Sequence, residues 1–154
     1  MSQRFPLTTI RSHLSLTFLG ATLALVGCAS NGRDAIPANA RVEVLQTGSL
    51  VMRGTADATP GSATCATAPL PAKHVLELLE ETTGAIKLRA IGAHDVTVLH
   101  VTNLETNKTW CVMTKGDGAE VTIPGDFAAG LYAISVAESN TFKPDPYEVV
   151  FEKM

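Results

Sequence analysis

The chain has 154 residues, 45% of them hydrophobic and 18% charged, with a formal net charge of −3 at pH 7. Twelve Lys and Arg stand against fifteen Asp and Glu. That balance gives no basic footprint for phosphates and argues against nucleic acid as a partner.

The first thirty residues differ from the rest. Arg4 and Arg11 are the only charged side chains before Cys28, and Leu14 to Val26 form an unbroken weakly polar to apolar run. A cationic start followed by such a run is the pattern of a secretory signal peptide. A helix rising roughly 1.5 Å per residue would carry it across only about 20 Å of a hydrocarbon core of about 30 Å, too short for a transmembrane span. The run closes on Leu25-Val26-Gly27-Cys28, which resembles the lipobox of bacterial lipoproteins. The resemblance implies cleavage before Cys28, a thioether-linked diacylglycerol on its sulfur, and a further acyl chain such as palmitate on the new amino terminus. Each buried methylene contributes roughly 0.8 kcal/mol, and stable anchoring takes two chains or more. Ala29 and Ser30 follow instead of an aspartate, which in that family points to the outer membrane. The alternative is an ordinary signal peptide with a cysteine near its cut. Loss of residues 1–27 removes two bases and no acid, leaving ten against fifteen, a net charge of −5.

Residues 28–40 are small and polar, with Gly32 and Pro37, and read as a flexible tether ahead of one domain over 41–154. An arm packed on the domain is the alternative. Val42 and Val44 alternate with Arg41 and Glu43 as a short strand, and Gly48 turns the chain into a weaker one over Ser49–Arg53. Gly54 to Ala72 is a long loop rich in Ala, Thr, Gly and Pro. Loops of this length are functional, disordered or tied down. Cys65 within it and Cys111 are an even pair outside the cytoplasm, so a disulfide is expected. It would stabilise the fold by about 4 kcal/mol in the chain-entropy model. Two free thiols are the alternative, and no ligand spacing supports a metal.

Over Lys73–Gly84, Val75, Leu76, Leu78 and Leu79 share one helical face, Glu77, Glu80 and Glu81 lie opposite, and Gly84 sits at a C-cap position. One short amphipathic helix is the expectation here. The alternative is a strand running through Thr82-Thr83-Gly84 into the next. Ile86, Leu88 and Ala90 alternate as a strand. Asp95–Thr102 is a β-branched run, and Thr109–Thr114 pairs back on it across the turn Asn103–Lys108. After Lys115-Gly116-Asp117-Gly118, Val121 and Ile123 face inward in a strand ended by Pro124-Gly125. Tyr132, Ile134 and Val136, then Tyr147, Val149 and Phe151, complete the pattern. Short strands with turns at this spacing predict a mainly β chain, an antiparallel β-sandwich with one short helix. The stretch Val121–Val136, with its Gly130-Leu131-Tyr132 corner, resembles the penultimate-strand signature of immunoglobulin-like and fibronectin-like bacterial sandwiches. The resemblance implies that Tyr132 packs under the sheet and bonds backbone at the corner. It lends no catalytic residue, because those domains share a fold and not an activity.

Catalytic motifs are missing from the sequence: there is no GxSxG, HExxH, Walker or GxGxxG pattern. His94 and His100 share a face of one strand but lie roughly 20 Å apart at about 3.3 Å per residue, too far to share a metal. They and His74 read as surface or half-buried side chains. Glu77, Glu80 and Glu81 read as a solvated face, not as glycosidase carboxylates. Trp110 must point opposite to Cys111. It is core if Cys111 bridges outside the sheet, and otherwise an exposed stacking platform for a sugar or a protein. The expectation is therefore a membrane-anchored envelope lipoprotein without enzymatic activity or cofactor, binding another envelope protein. The alternatives are a glycan or small-ligand module using Trp110 and the 54–72 loop, or an enzyme or enzyme inhibitor acting through that loop.

Overall fold

The computed structural model describes residues 32–59, 61–67, 69–93, 95–139 and 145–154. A 3₁₀ turn, Gly32–Ala35, precedes ten strands. They are β1 (Arg41–Val44), β2 (Ser49–Thr55), β3 (Asp57–Ala58), β4 (His74–Leu78), β5 (Thr82–Ala90), β6 (Val96–Asn103), β7 (Thr109–Lys115), β8 (Glu120–Phe127), β9 (Gly130–Glu138) and β10 (Pro146–Lys153). Two sheets result, one in the order β1-β4-β9-β6-β7 with β3 also on β9, the other β2-β10-β5-β8. They pack face to face as the expected β-sandwich.

Within that class the connections are nested. From β4 onward every step changes sheet except the β6–β7 hairpin. The sheets β2-β10-β5-β8 and β4-β9-β6-β7 have the strand order of a double-sheet jelly roll. This differs from the immunoglobulin order, in which several pairs of consecutive strands lie side by side. The pairing is also not wholly antiparallel. β1 lies parallel to β4, and β3 parallel to the end of β9. A parallel pair needs a long crossover, and the chain from 45 to 73 supplies one for β1 and β4.

The expected helix over 73–84 does not form. β4 ends at Leu78, residues 79–81 turn, and β5 begins at Thr82. His74, Leu76 and Leu78 face the core while Val75, on the other face, is also fully buried. A strand covered on both sides is a continuous apolar run, and periodicity cannot separate it from a helix. Gly84 is no cap: a Cβ there would stand 2.6 Å from the Glu152 carbonyl oxygen and 2.9 Å from the Phe151 ring. β8 likewise runs through Pro124-Gly125 to Phe127. It is an edge strand, where a proline leaves no ladder bond unmade.

The inward positions of both sheets form one core, including Leu76, Leu88, Leu99, Ile134, Val149 and Phe151. One end of the sandwich holds the turns 45–48, 79–81, 104–108 and 128–129. The other holds the described residues 56–59, 91–93, 95, 116–119, 139 and 145. The described part of the expected tether lies against the domain, with Arg33 2.9 Å from Glu77 and Ile36 half-buried.

Candidate functional site

Cys65 and Cys111 are bridged, with Cα atoms 5.7 Å apart. The bridge straps the described residues 61–67 and 69–72 over the outer face of the β9/β6/β7 sheet. Ala63 there packs with Val98 and Ala137, flanked by Leu70, Val96 and Cys111. The Ala63 amide donates to Ser139 Oγ at 2.9 Å. Beneath the strap His100 is 3% exposed, its Nε2 3.8 Å from Cys111 Sγ, and burial lowers its pKa. It is thus a buried neutral imidazole, not the surface or half-buried one expected, because a segment without secondary structure covers it. Cys28 and His94 lie outside the described residues.

With Cys111 outward, Trp110 turns inward. Its ring centroid is 5.8 Å from that of Phe127 and 6.2 Å from that of Tyr132, and Lys108 Nζ stands 4.7 Å from it. Trp110 is half-buried, its indole packed against the core aromatics on one side and shared with a lysine. Tyr132 donates its hydroxyl to the Ala128 carbonyl at 2.8 Å, the corner bond implied by its sequence setting. The three glutamates of 77–81 do not converge. Glu77 pairs with Arg33, Glu81 is exposed, and Lys153 bonds Glu80 at 2.8 Å, holding its carboxyl below the usual range.

The richest polar chemistry is at the opposite end, where no motif marked it. His74, inward on β4 and 3% exposed, has Nδ1 3.3 Å from Glu43 Oε1 on β1. Its ring meets Tyr147 of β10 edge-on at 6.0 Å. The Tyr147 hydroxyl and Glu43 Oε2 are buried without a hydrogen-bond partner. Burial, then the Asp57 and Glu43 charges, push the Tyr147 phenol up to about 12. Asp57 itself pairs with Lys73 at 2.6 Å. Gly54 leaves room for the phenol, since a Cβ there would lie 2.5 Å from its oxygen. Also inward at this end are Glu138, fully buried, and Asp145, 9% exposed. The Asp145 amide donates to Glu138 Oε2 at 3.2 Å. Burial, with Asp145 and Asp95 nearby, raises the Glu138 pKa. A sequence signal for this pair existed. Glu138 continues the inward parity of Tyr132, Ile134 and Val136, and Asp145 that of Tyr147, Val149 and Phe151.

Two cavities open at the surface, the second beside the Asp57–Lys73 pair. One of about 550 Å³ lies at the turn end between Leu45–Gly48, Leu78–Glu80, Thr82 and Lys153. The other, about 390 Å³, is lined by Pro37–Asn39, Asp57, Ala58 and Leu70–Lys73. Neither is lined by His74, His100, Glu138 or Tyr147. No protein-family model matches this chain, and no curated protein matches it either.

Proposed function

We propose that the protein is an envelope lipoprotein held to the membrane through acylated Cys28, whose β-sandwich acts without catalysis by binding another envelope protein. The observation that carries this reading is the Leu25-Val26-Gly27-Cys28 sequence closing a short apolar run behind Arg4 and Arg11. The Cys65–Cys111 bridge supports it independently, since disulfides persist in oxidising compartments. The non-enzymatic part rests on access. His74, His100, Glu138 and Tyr147 are each 3% exposed or less, whereas acid–base catalysis needs a group within hydrogen-bond reach of substrate.

Fractionation of cells making wild-type and Cys28→Ser protein tests the anchor. Wild-type protein is expected in the membrane fraction with an acylated amino-terminal peptide, and the variant in the soluble extract. A variant that stays with the membranes, or a wild-type peptide without acyl mass, would refute it. A ligand-binding reading is favoured by one feature, the 550 Å³ cavity with its Leu45, Leu78 and Leu79 walls, a size suited to small molecules. Mass spectrometry of an organic extract of the native protein separates the two, since only a ligand carrier yields a stoichiometric small molecule.

A further inference from the structure

We propose that Glu138 and Asp145, with the hydroxyl of Thr97, form a binding site for one hard divalent cation of the calcium type, closing the polar end of the sandwich. Glu138 and Thr97 are direct cross-strand partners on β9 and β6, so both side chains leave the sheet on the same inward side at a separation of about 5 Å between Cβ atoms. Asp145 reaches the same space from the opposite sheet, fixed by its own amide on Glu138 Oε2 and by its carbonyl accepting from the Ala56 amide at 2.9 Å.

Three buried oxygens there have no hydrogen-bond partner: Glu138 Oε1, Asp145 Oδ2 and Thr97 Oγ1. Thr97 is 2% exposed and carries no charge, so its orphan hydroxyl is evidence separate from the acid pair. Buried polar groups of native proteins are paired as a rule, and each exception asks for a partner. Two carboxylates out of water repel, and the pair is stable only if its charge is compensated. A single shared proton would pair Glu138 Oε1 with Asp145 Oδ2 but leave the Thr97 hydroxyl without a partner. A cation accepts lone pairs from all three oxygens and cancels two charges at once. The donor set is oxygen alone, which favours a hard ion over a transition metal. Calcium tolerates irregular coordination completed by water, whereas magnesium demands near-octahedral geometry. Asp95, close enough to act on Glu138, adds negative potential.

The test is thermal unfolding of the full-length protein in detergent, stripped with chelator and titrated with calcium or magnesium chloride. With two carboxylates the dissociation constant should lie at about 10⁻⁴–10⁻³ M, so 10 mM calcium should raise the midpoint by roughly 5 °C or more, magnesium less. Glu138→Gln should fold and lose that response. Thr97→Val, a second variant that keeps both carboxylates, should need about tenfold more calcium. A wild-type midpoint indifferent to calcium overturns the site, leaving a proton-sharing acid pair. So does a calcium response that survives unchanged in both variants, since the ion would then bind elsewhere.

Discussion

The two ends of this sandwich are closed by opposite chemistry. At one, Trp110, Phe127, Tyr132 and Phe151 pack ring against ring, with Phe127 5.6–5.8 Å from each of the other three. At the other, Glu43, His74, Tyr147, Glu138 and Asp145 bring titratable groups into the interior, and several of their atoms are unpartnered. Aromatic burial stabilises by area and contact whatever the pH. Buried polar groups stabilise only when every atom is satisfied. The aromatic end is therefore expected to carry stability, and the polar end conditional behaviour.

The largest expected effect would break the comparison if absent. Phe127→Ala removes the ring that touches the other three and should destabilise the domain by about 3–5 kcal/mol, read by denaturant unfolding. A loss below about 1 kcal/mol would mean that the rings are not the main closure. Next is the bridge. Cys65→Ser with Cys111→Ser should cost about 2–4 kcal/mol and expose the apolar patch of Val98 and Ala137 under the strap. Faster amide exchange over β6 and β9 would report that release, and unchanged exchange would mean that packing alone holds the strap.

The smallest effects sharpen the contrast most, because the two tyrosines should respond with opposite sign. Tyr132→Phe leaves the Ala128 carbonyl without its donor and should cost about 1 kcal/mol. Tyr147→Phe removes a buried hydroxyl that has no partner and should be neutral or stabilising by up to about 1 kcal/mol. Equal losses in both would show that the Tyr147 hydroxyl is satisfied in solution. The pH dependence follows from the raised phenol, which the folded state protects up to about 12 against 10 for an ordinary tyrosine. The folded state holds that proton longer, so the contribution is complete below pH 10 and is lost as pH climbs from 10 toward 12. Tyr147→Phe should reduce that alkaline decline. Ultraviolet titration of phenolate should show both tyrosines ionising above the ordinary range, since burial raises Tyr132 as well, with Tyr147 at about 12.

The strands that alternate against water were legible residue by residue. β7 and β10 fall within about two residues of their expected limits because one face is core and the other is not. β6 and β9, buried on both faces, do so because β-branched residues and turn signals bound them. Tyr132 and the Cys65–Cys111 pair were legible for local reasons, a corner in one case and an even count of thiols in the other. β4 was not, since burial on both faces erased its period. The buried His100 escaped because its cover comes from a segment far away in sequence.

The order of hydrophobic and polar residues, by itself, determined that the chain forms two packed sheets, because alternation is a local consequence of the pleat. Tertiary structure alone decided that Trp110 packs against the core, that β4 is a strand, and that carboxylates from β9 and from the residue preceding β10 meet at one end. Those outcomes depend on which strands become neighbours across the sandwich, and that choice is made by long-range packing.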